Sequence, residues 1–242
     1  MYYLQRKKAF LTLVFASLFS ALNAQIRDLN LEDHDLKKYY FGISLSYNSS
    51  RFQMSHHPRF LEQGDTVLVA EPLNRGGVGL GFTATLGLSK RFEARLNPQL
   101  IFSSRALTYN LSYPDAIREE TPQMIKSVES LVTSFPLQVK FNSDRIGNFR
   151  VYMMGGAKFD YDLASNAGSR QAEDLVKLKK SYYGIEAGMG FNFYFPSFIL
   201  SPELKISNGI SNVHARDEAL KFSNVIDKLQ SRMLVFTLHI EG

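Results

Sequence analysis

The amino-acid sequence predicts an all-β chain folded as an eight-stranded antiparallel transmembrane β-barrel, with short periplasmic turns and long extracellular loops. Three observations carry that prediction. Eight stretches alternate apolar and polar side chains, the period of a strand whose successive side chains point to opposite faces. The apolar face carries almost no charge through all eight. The connections run long, short, long, short, long, short, long, the asymmetry of a barrel with brief turns at one end and larger loops at the other. A wall so continuously apolar is too large for the inside of a small barrel and has to face lipid. A soluble lipocalin-like barrel would instead keep its apolar side chains inside and its charges in water.

The chain begins with a basic patch, Arg6, Lys7 and Lys8, then a mostly apolar run and a small-residue stretch ending at Ala24. This is the layout of a signal peptide, assigned to residues 1–24; its apolar run is shorter than the roughly 20 residues of a spanning helix. Residues 25–38, QIRDLNLEDHDLKK, are charged and without period, as expected of a polar segment tethered in the periplasm ahead of the first strand. The barrel is assigned to residues 39–242.

The first strand sets Tyr39, Phe41, Ile43, Leu45 and Tyr47 against Tyr40, Gly42, Ser44, Ser46 and Asn48. A tyrosine at each end of the apolar face fits two membrane interfaces. Residues 49–77 contain Pro58, Pro72, Gly76 and Gly77 and are expected as a large loop, with 66–69 as a possible strand extension. Strand two carries Val78, Leu80, Phe82, Ala84, Leu86 and Leu88 on its apolar face. After a turn at Lys90-Arg91, strand three opposes Phe92, Ala94, Leu96, Leu100 and Phe102 to Glu93, Arg95, Asn97 and Gln99, and Pro98 on its apolar phase predicts a bulge.

Residues 103–127 are expected as a second long loop. Strand four follows with Phe135, Leu137, Val139 and Phe141 against Ser134, Gln138 and Lys140, then a compact turn over 142–148. Strand five opposes Phe149, Val151, Met153, Ala157, Phe159 and Tyr161 to Arg150, Tyr152, Lys158, Asp160 and Asp162. A third loop spans 163–180. Strands six and seven form the hairpin around Pro196-Ser197, flanked by Phe195 and Phe198, two further interface aromatics. Residues 208–230 are expected as a fourth loop, with Leu220, Ile226 and Leu229 at the spacing of a short helical turn. Strand eight carries Leu234, Phe236, Leu238 and Ile240 against Thr237 and His239.

An eight-stranded barrel has an interior just wide enough to be filled by side chains. The inward phase supplies Glu93, Asp160, Glu186 and Glu203 as acids and Arg95, Lys140, Arg150, Lys158 and Lys205 as bases. Around the Pro196-Ser197 turn, Glu186 falls opposite Ser207 and diagonal to Lys205, within reach of a long side chain. Charges of both signs at such quarters predict an ionic plug and no open channel.

Composition narrows the function further. Cysteine is absent, so there is no disulfide framework and no thiolate metal site. Losing the three leader bases leaves 25 Lys and Arg against 23 Asp and Glu, near +2. No basic stripe with interleaved aromatics points to nucleic acid. His56 and His57 lack a third ligand at a defined spacing. Ser211, His214 and Asp217 are the only nearby set resembling a hydrolytic pair with its orienter at the outer rim, the arrangement a lipid-modifying barrel enzyme would use. Solvated loop residues are the simpler reading. The chain is therefore expected to have no catalytic residues, metal, cofactor or small-molecule substrate, with a small-solute porin as a further alternative.

Several strings resemble the PorT family in order and spacing. They are Asp35-Leu36-Lys37-Lys38-Tyr39-Tyr40-Phe41-Gly42-Ile43; Gly155-Gly156 followed by Asp160-Tyr161-Asp162-Leu163-Ala164-Ser165; Ser201-Pro202-Glu203-Leu204-Lys205; Asn212 after Gly209; and Leu229 with Ser231-Arg232. PorT-like proteins are outer-membrane barrels of the type IX secretion system, which exports folded cargo carrying a C-terminal targeting domain. The resemblance implies a non-enzymatic machine component whose partners are the outer-membrane bilayer and other secretion components. One departure is the end of the chain, Leu238-His239-Ile240-Glu241-Gly242, where many such barrels end in an aromatic residue; either Phe236 takes that part or the insertion signal differs.

Overall fold

A computed structural model of the chain describes residues 29–56, 67–111, 121–164, 178–215 and 226–242. The assigned signal peptide lies outside these residues. The strands are β1 (Tyr39–His56), β2 (Val67–Leu73), β3 (Arg75–Gly87), β4 (Phe92–Leu96), β5 (Gln99–Leu111), β6 (Gln123–Asn142), β7 (Phe149–Asp162), β8 (Ser181–Tyr194), β9 (Ile199–Gly209) and β10 (Ile226–Glu241). Two pairs of them are single strands with a break: β2 and β3 meet at Asn74, and both run beside β5; β4 and β5 meet at Asn97-Pro98, and both run between β3 and β6. The wall is thus eight antiparallel strands. It closes where β1 pairs β10, from Gly42 opposite Glu241 to Ser55 opposite Lys228. Closure leaves no open strand edge across the apolar belt, which a sheet in hydrocarbon requires.

The faces fall as the alternation predicts. Ile43, Leu45, Leu137, Met153, Ile185 and Leu204 project outward and are exposed, as are the four interface aromatics Tyr39, Tyr47, Phe195 and Phe198. Aromatic pairs ring the turn end: Phe41 with Phe82, Phe92 with Phe141, Phe149 with Phe193, and Phe195 stacked on Phe198 with centroids 4.9 Å apart. Ser44, Ser46, Gln138, Lys140, Glu203 and Lys205 point inward and are buried.

Four expectations are corrected. The loops expected at 49–77 and 103–127 are largely strand: β1 runs on to His56, β2 begins at Val67, β5 reaches Leu111 and β6 starts at Gln123. Ladder pairing continues above the belt, for example Gln53 with Gln230, although the outward side chains there are polar and read as loop. Pro72 is accommodated because, among the described strands, β2 ladders only with β5.

Second, Pro98 makes a break and not a bulge, since Ala84 opposite Leu96 and Gly81 opposite Gln99 keep one register across it. Third, Ile226 and Leu229 belong to β10 and not to a helical turn; Leu220 lies outside the described residues. The extra residue Asp227 slips the register between Ser55 and His56. That bulge leaves two buried residues three apart on one face, a spacing that imitates a helix.

Fourth, the polar tether is not free. Residues 32–36 form one turn of 3-10 helix, Glu32–Leu36, entered through Leu31 in the left-handed region at φ 51°. The turn lies across the mouth of the barrel at the end that carries the short turns.

Candidate functional site

The lumen is where polar chemistry concentrates, and its strands set each side chain by register. Arg95 on β4 sits at the centre, fully buried, its guanidinium 2.8 Å from Glu241 and 3.1 Å from Glu203. His239 on β10 brings Nε2 within 3.4 Å of the same guanidinium and 3.6 Å of Glu203. Tyr152 on β7 donates its hydroxyl to Glu203 at 2.9 Å. Lys140 on β6 lies 3.1 Å from Glu93 and 4.3 Å from the centroid of the Tyr152 ring, a cation over an aromatic face. Tyr40 donates to Glu93 at 2.9 Å. Gly190, opposite Tyr152 across the ladder, makes room for that ring, because a Cβ there would collide with it.

The network climbs from this centre. Lys205 stands between Glu203 at 3.8 Å and Glu186 at 3.6 Å, and Gln138 donates to Glu186. Glu186 is opposite Ser207, as the hairpin arithmetic predicts. Further up, Lys158 and Asp160 pair at 2.6 Å. Ion pairs removed from water rarely add net stability. Their effect is to satisfy one another while filling the bore.

Of the nine charges predicted for the lumen, Glu93, Arg95, Lys140, Glu186, Glu203 and Lys205 form one connected system and Lys158 pairs with Asp160. Arg150 is separate: it sits at the mouth, 3.0 Å from Asp35. Sequence reasoning missed Glu241, His239 and Tyr40 as members, although the strict period through Thr237 and His239 points Glu241 inward. It also missed Arg105, buried on β5 with its guanidinium 5.4 Å from the Phe52 ring, because that stretch reads as loop.

Among the described residues little space remains in mid-bore. The cavity in mid-bore, bounded by Ser46, Gln99, Lys158, Glu186 and Lys205 among others, measures about 10 Å³, room for about one water. At the turn end the 3-10 turn adds a lid. His34 is buried against Tyr40 at 4.5 Å and Tyr194 at 6.2 Å between ring centroids. That burial, then the charge of Lys37, hold the imidazole below its ordinary 6.5. Arg145 stacks over Tyr194 at 3.7 Å, pairs with Asp35 at 3.4 Å and donates to the Asn30 and Leu31 carbonyls. A half-open cavity of about 430 Å³ flanks this lid.

The hydrolytic candidates are placed differently. The Ser211 hydroxyl accepts from the Tyr183 N–H at 3.0 Å and donates to the Tyr183 carbonyl at 3.3 Å, so it caps a strand end. His214 is buried beneath the loop end. Asp217, His57 and the His56 side chain lie outside the described residues. Among the described residues no three metal-type ligands converge.

A closed ring with an apolar exterior and an ionic interior defines an outer-membrane β-barrel protein, seated in the lipid bilayer. The chain belongs to the family described as outer membrane protein beta-barrel domain, whose model matches residues 23–215. Among solved structures it is similar to the outer membrane protein OprG from Pseudomonas aeruginosa, at 10% identity and a TM-score of 0.47, covering 84% of this chain and 93% of that one. Neisserial surface protein A is similar at 10% identity and a TM-score of 0.43, covering 83% and 96%. Ail, the attachment invasion locus protein of Yersinia pestis, is similar at 10% identity and a TM-score of 0.39, covering 85% and 100%. Among curated proteins none matches the sequence.

Proposed function

We propose that this protein is a non-enzymatic component of a protein secretion machine, PorT-like and part of a type IX secretion system, needed for export of cargo with a C-terminal targeting domain. The observation that carries the reading is the filled bore. A cylinder whose mid-bore cavity among the described residues holds about one water, with a lid at its mouth, is expected to pass no solute, so its work is done at its surfaces. The family-like strings, from Asp35-Leu36 through Ser231-Arg232, supply the secretion assignment. In this reading both termini are periplasmic, and the long loops, the lid segment or a lipid-facing strand docks the other secretion components.

Deleting the gene is expected to block export of targeting-domain cargo while other outer-membrane proteins assemble normally; unimpaired export would refute the proposal. Crosslinking in cells and identification of the captured proteins would name the docking partner. Two alternatives have their own tests. A porin would conduct ions in planar bilayers, and the filled bore predicts none. A lipid-modifying enzyme would change lipid A, and replacing Ser211 and His214 together is expected to leave its mass spectrum unaltered.

A further inference from the structure

The outer wall carries a pair of arginines that nothing in the lumen explains. Arg51 on β1 and Arg232 on β10 are direct cross-strand partners, both on the outward phase and both exposed. Neither makes an ion pair among the described residues. Like charges directly opposite across a ladder repel and destabilise the pair, and other outward residues at this level, Ser49 and Asn208, are uncharged.

Their height on the wall is set by register. Two residues below Arg232 is Leu234 and four below Arg51 is Tyr47, the uppermost members of the exposed apolar belt on their strands. Two residues rise about 7 Å along a strand, or about 5 Å along the membrane normal at a tilt near 45°. Arg232 therefore stands about 5 Å above the apolar belt and Arg51, four residues above Tyr47, about 10 Å above it, so both long side chains reach the headgroup layer. Between them opens a cleft of about 290 Å³, edged by Ser49 and Asn74 and floored by Ile206 and Leu234.

We infer that this cleft binds the phosphate of a membrane lipid, with the two arginines clamping the headgroup and the apolar floor receiving the top of an acyl chain. Charge complementarity and continuity with the belt select the occupant. Guanidinium groups match phosphate oxygens in bidentate geometry, and an anion between them cancels the cross-strand repulsion. An anionic ligand with no acyl chain would leave Ile206 and Leu234 facing the bilayer as before, so the site fits a lipid better than a free anion. With the long loops outside, the phosphate-bearing lipid of that leaflet is lipid A. The choice of lipid A rests on the orientation proposed above, and the phosphate clamp itself stands apart from the secretion role.

The test uses the full-length protein in detergent micelles, titrated by native mass spectrometry with diphosphorylated lipid A and with its phosphate-free counterpart. The intact protein is expected to bind the phosphorylated form at least tenfold more tightly. Arg51→Gln with Arg232→Gln together should remove that preference, while Arg91→Gln at the turn end should keep it. Arg51→Glu separates binding from folding: it makes an ion pair with Arg232, so lipid A binding falls at least tenfold while the urea unfolding midpoint stays or rises. Equal binding of the two lipid forms would overturn the inference. So would retained preference in the double variant, loss of preference in Arg91→Gln, displacement by millimolar inorganic phosphate, or a joint fall of binding and midpoint in Arg51→Glu.

Discussion

Two storeys of the same cylinder follow opposite rules. In the belt, outward side chains are Ile43, Leu45, Phe236 and Leu234, and inward ones are Ser44, Ser46, His239 and Glu241. In the collar above it, outward side chains are Arg51, Gln53, Gln230 and Arg232, while Phe52, Leu107, Tyr109, Ile226 and Leu229 close inward into an apolar core. On β1 the inversion takes place between Tyr47 and Phe52 with no change of phase, since odd positions face out throughout. The backbone is indifferent to the switch. Only the surroundings change, from hydrocarbon to water, and the side chains that avoid each medium exchange faces.

The sharpest way to break this contrast is to disable each interior by its own logic. Arg95→Ala removes the cation shared by Glu203 and Glu241, leaving Glu241 without its ion-pair partner and Glu203 with only Lys205 at 3.8 Å, His239 and the Tyr152 hydroxyl, a loss of about 3–5 kcal/mol. Urea unfolding in lipid vesicles, followed by far-UV circular dichroism, checks it. Phe52→Ala empties the collar core and costs about 3–5 kcal/mol as a cavity. Its effect is expected to be confined upward: hydrogen exchange should quicken in the collar stretches of β1, β5 and β10 while the belt ladders stay protected.

Exteriors give the next largest difference. Leu137→Arg places a charge in mid-belt and costs about 2–4 kcal/mol, whereas Gln53→Arg on the collar exterior stays within about 0.5 kcal/mol. Equal penalties at the two positions would erase the boundary between storeys. The smallest effect belongs to the lid. Because burial holds the folded-state His34 below its ordinary 6.5, the unfolded lid binds the proton more readily. The lid is thus tightest above about pH 6.5 and loosens as the pH falls through that value towards the folded-state value. Protease cleavage near residue 30 followed across pH 5 to 8 reads this, and His34→Gln should flatten the profile.

The same inversion accounts for what was legible in the chain. Tyr39 to Tyr47, Phe149 to Tyr161 and the hairpin around Pro196-Ser197 were readable because lipid outside and charge inside give a clean alternation. Above Tyr47 the outward positions turn polar and the strands pass for loops, although Phe52, Arg105 and Leu107 keep the phase. The bulge at Asp227 went further and disguised a strand as a helical turn. In the lumen, period alone put Glu93, Arg95, Lys140, Glu186, Glu203 and Lys205 on one face. It could not pair them, because partners such as Arg95 and Glu241 lie 146 positions apart along the chain.

From the order of residues came the strand count, the direction each side chain faces and the charged character of the bore, because those depend on a period of two and on transfer free energies that act locally. The register at which β1 closes on β10, Gly42 opposite Glu241, came from three-dimensional packing. So did the choice of Arg95 as hub, the folding of residues 32–36 into a lid, and the meeting of Arg51 with Arg232. Each of these joins segments distant in sequence, and which partner a buried charge finds depends on register around the whole ring.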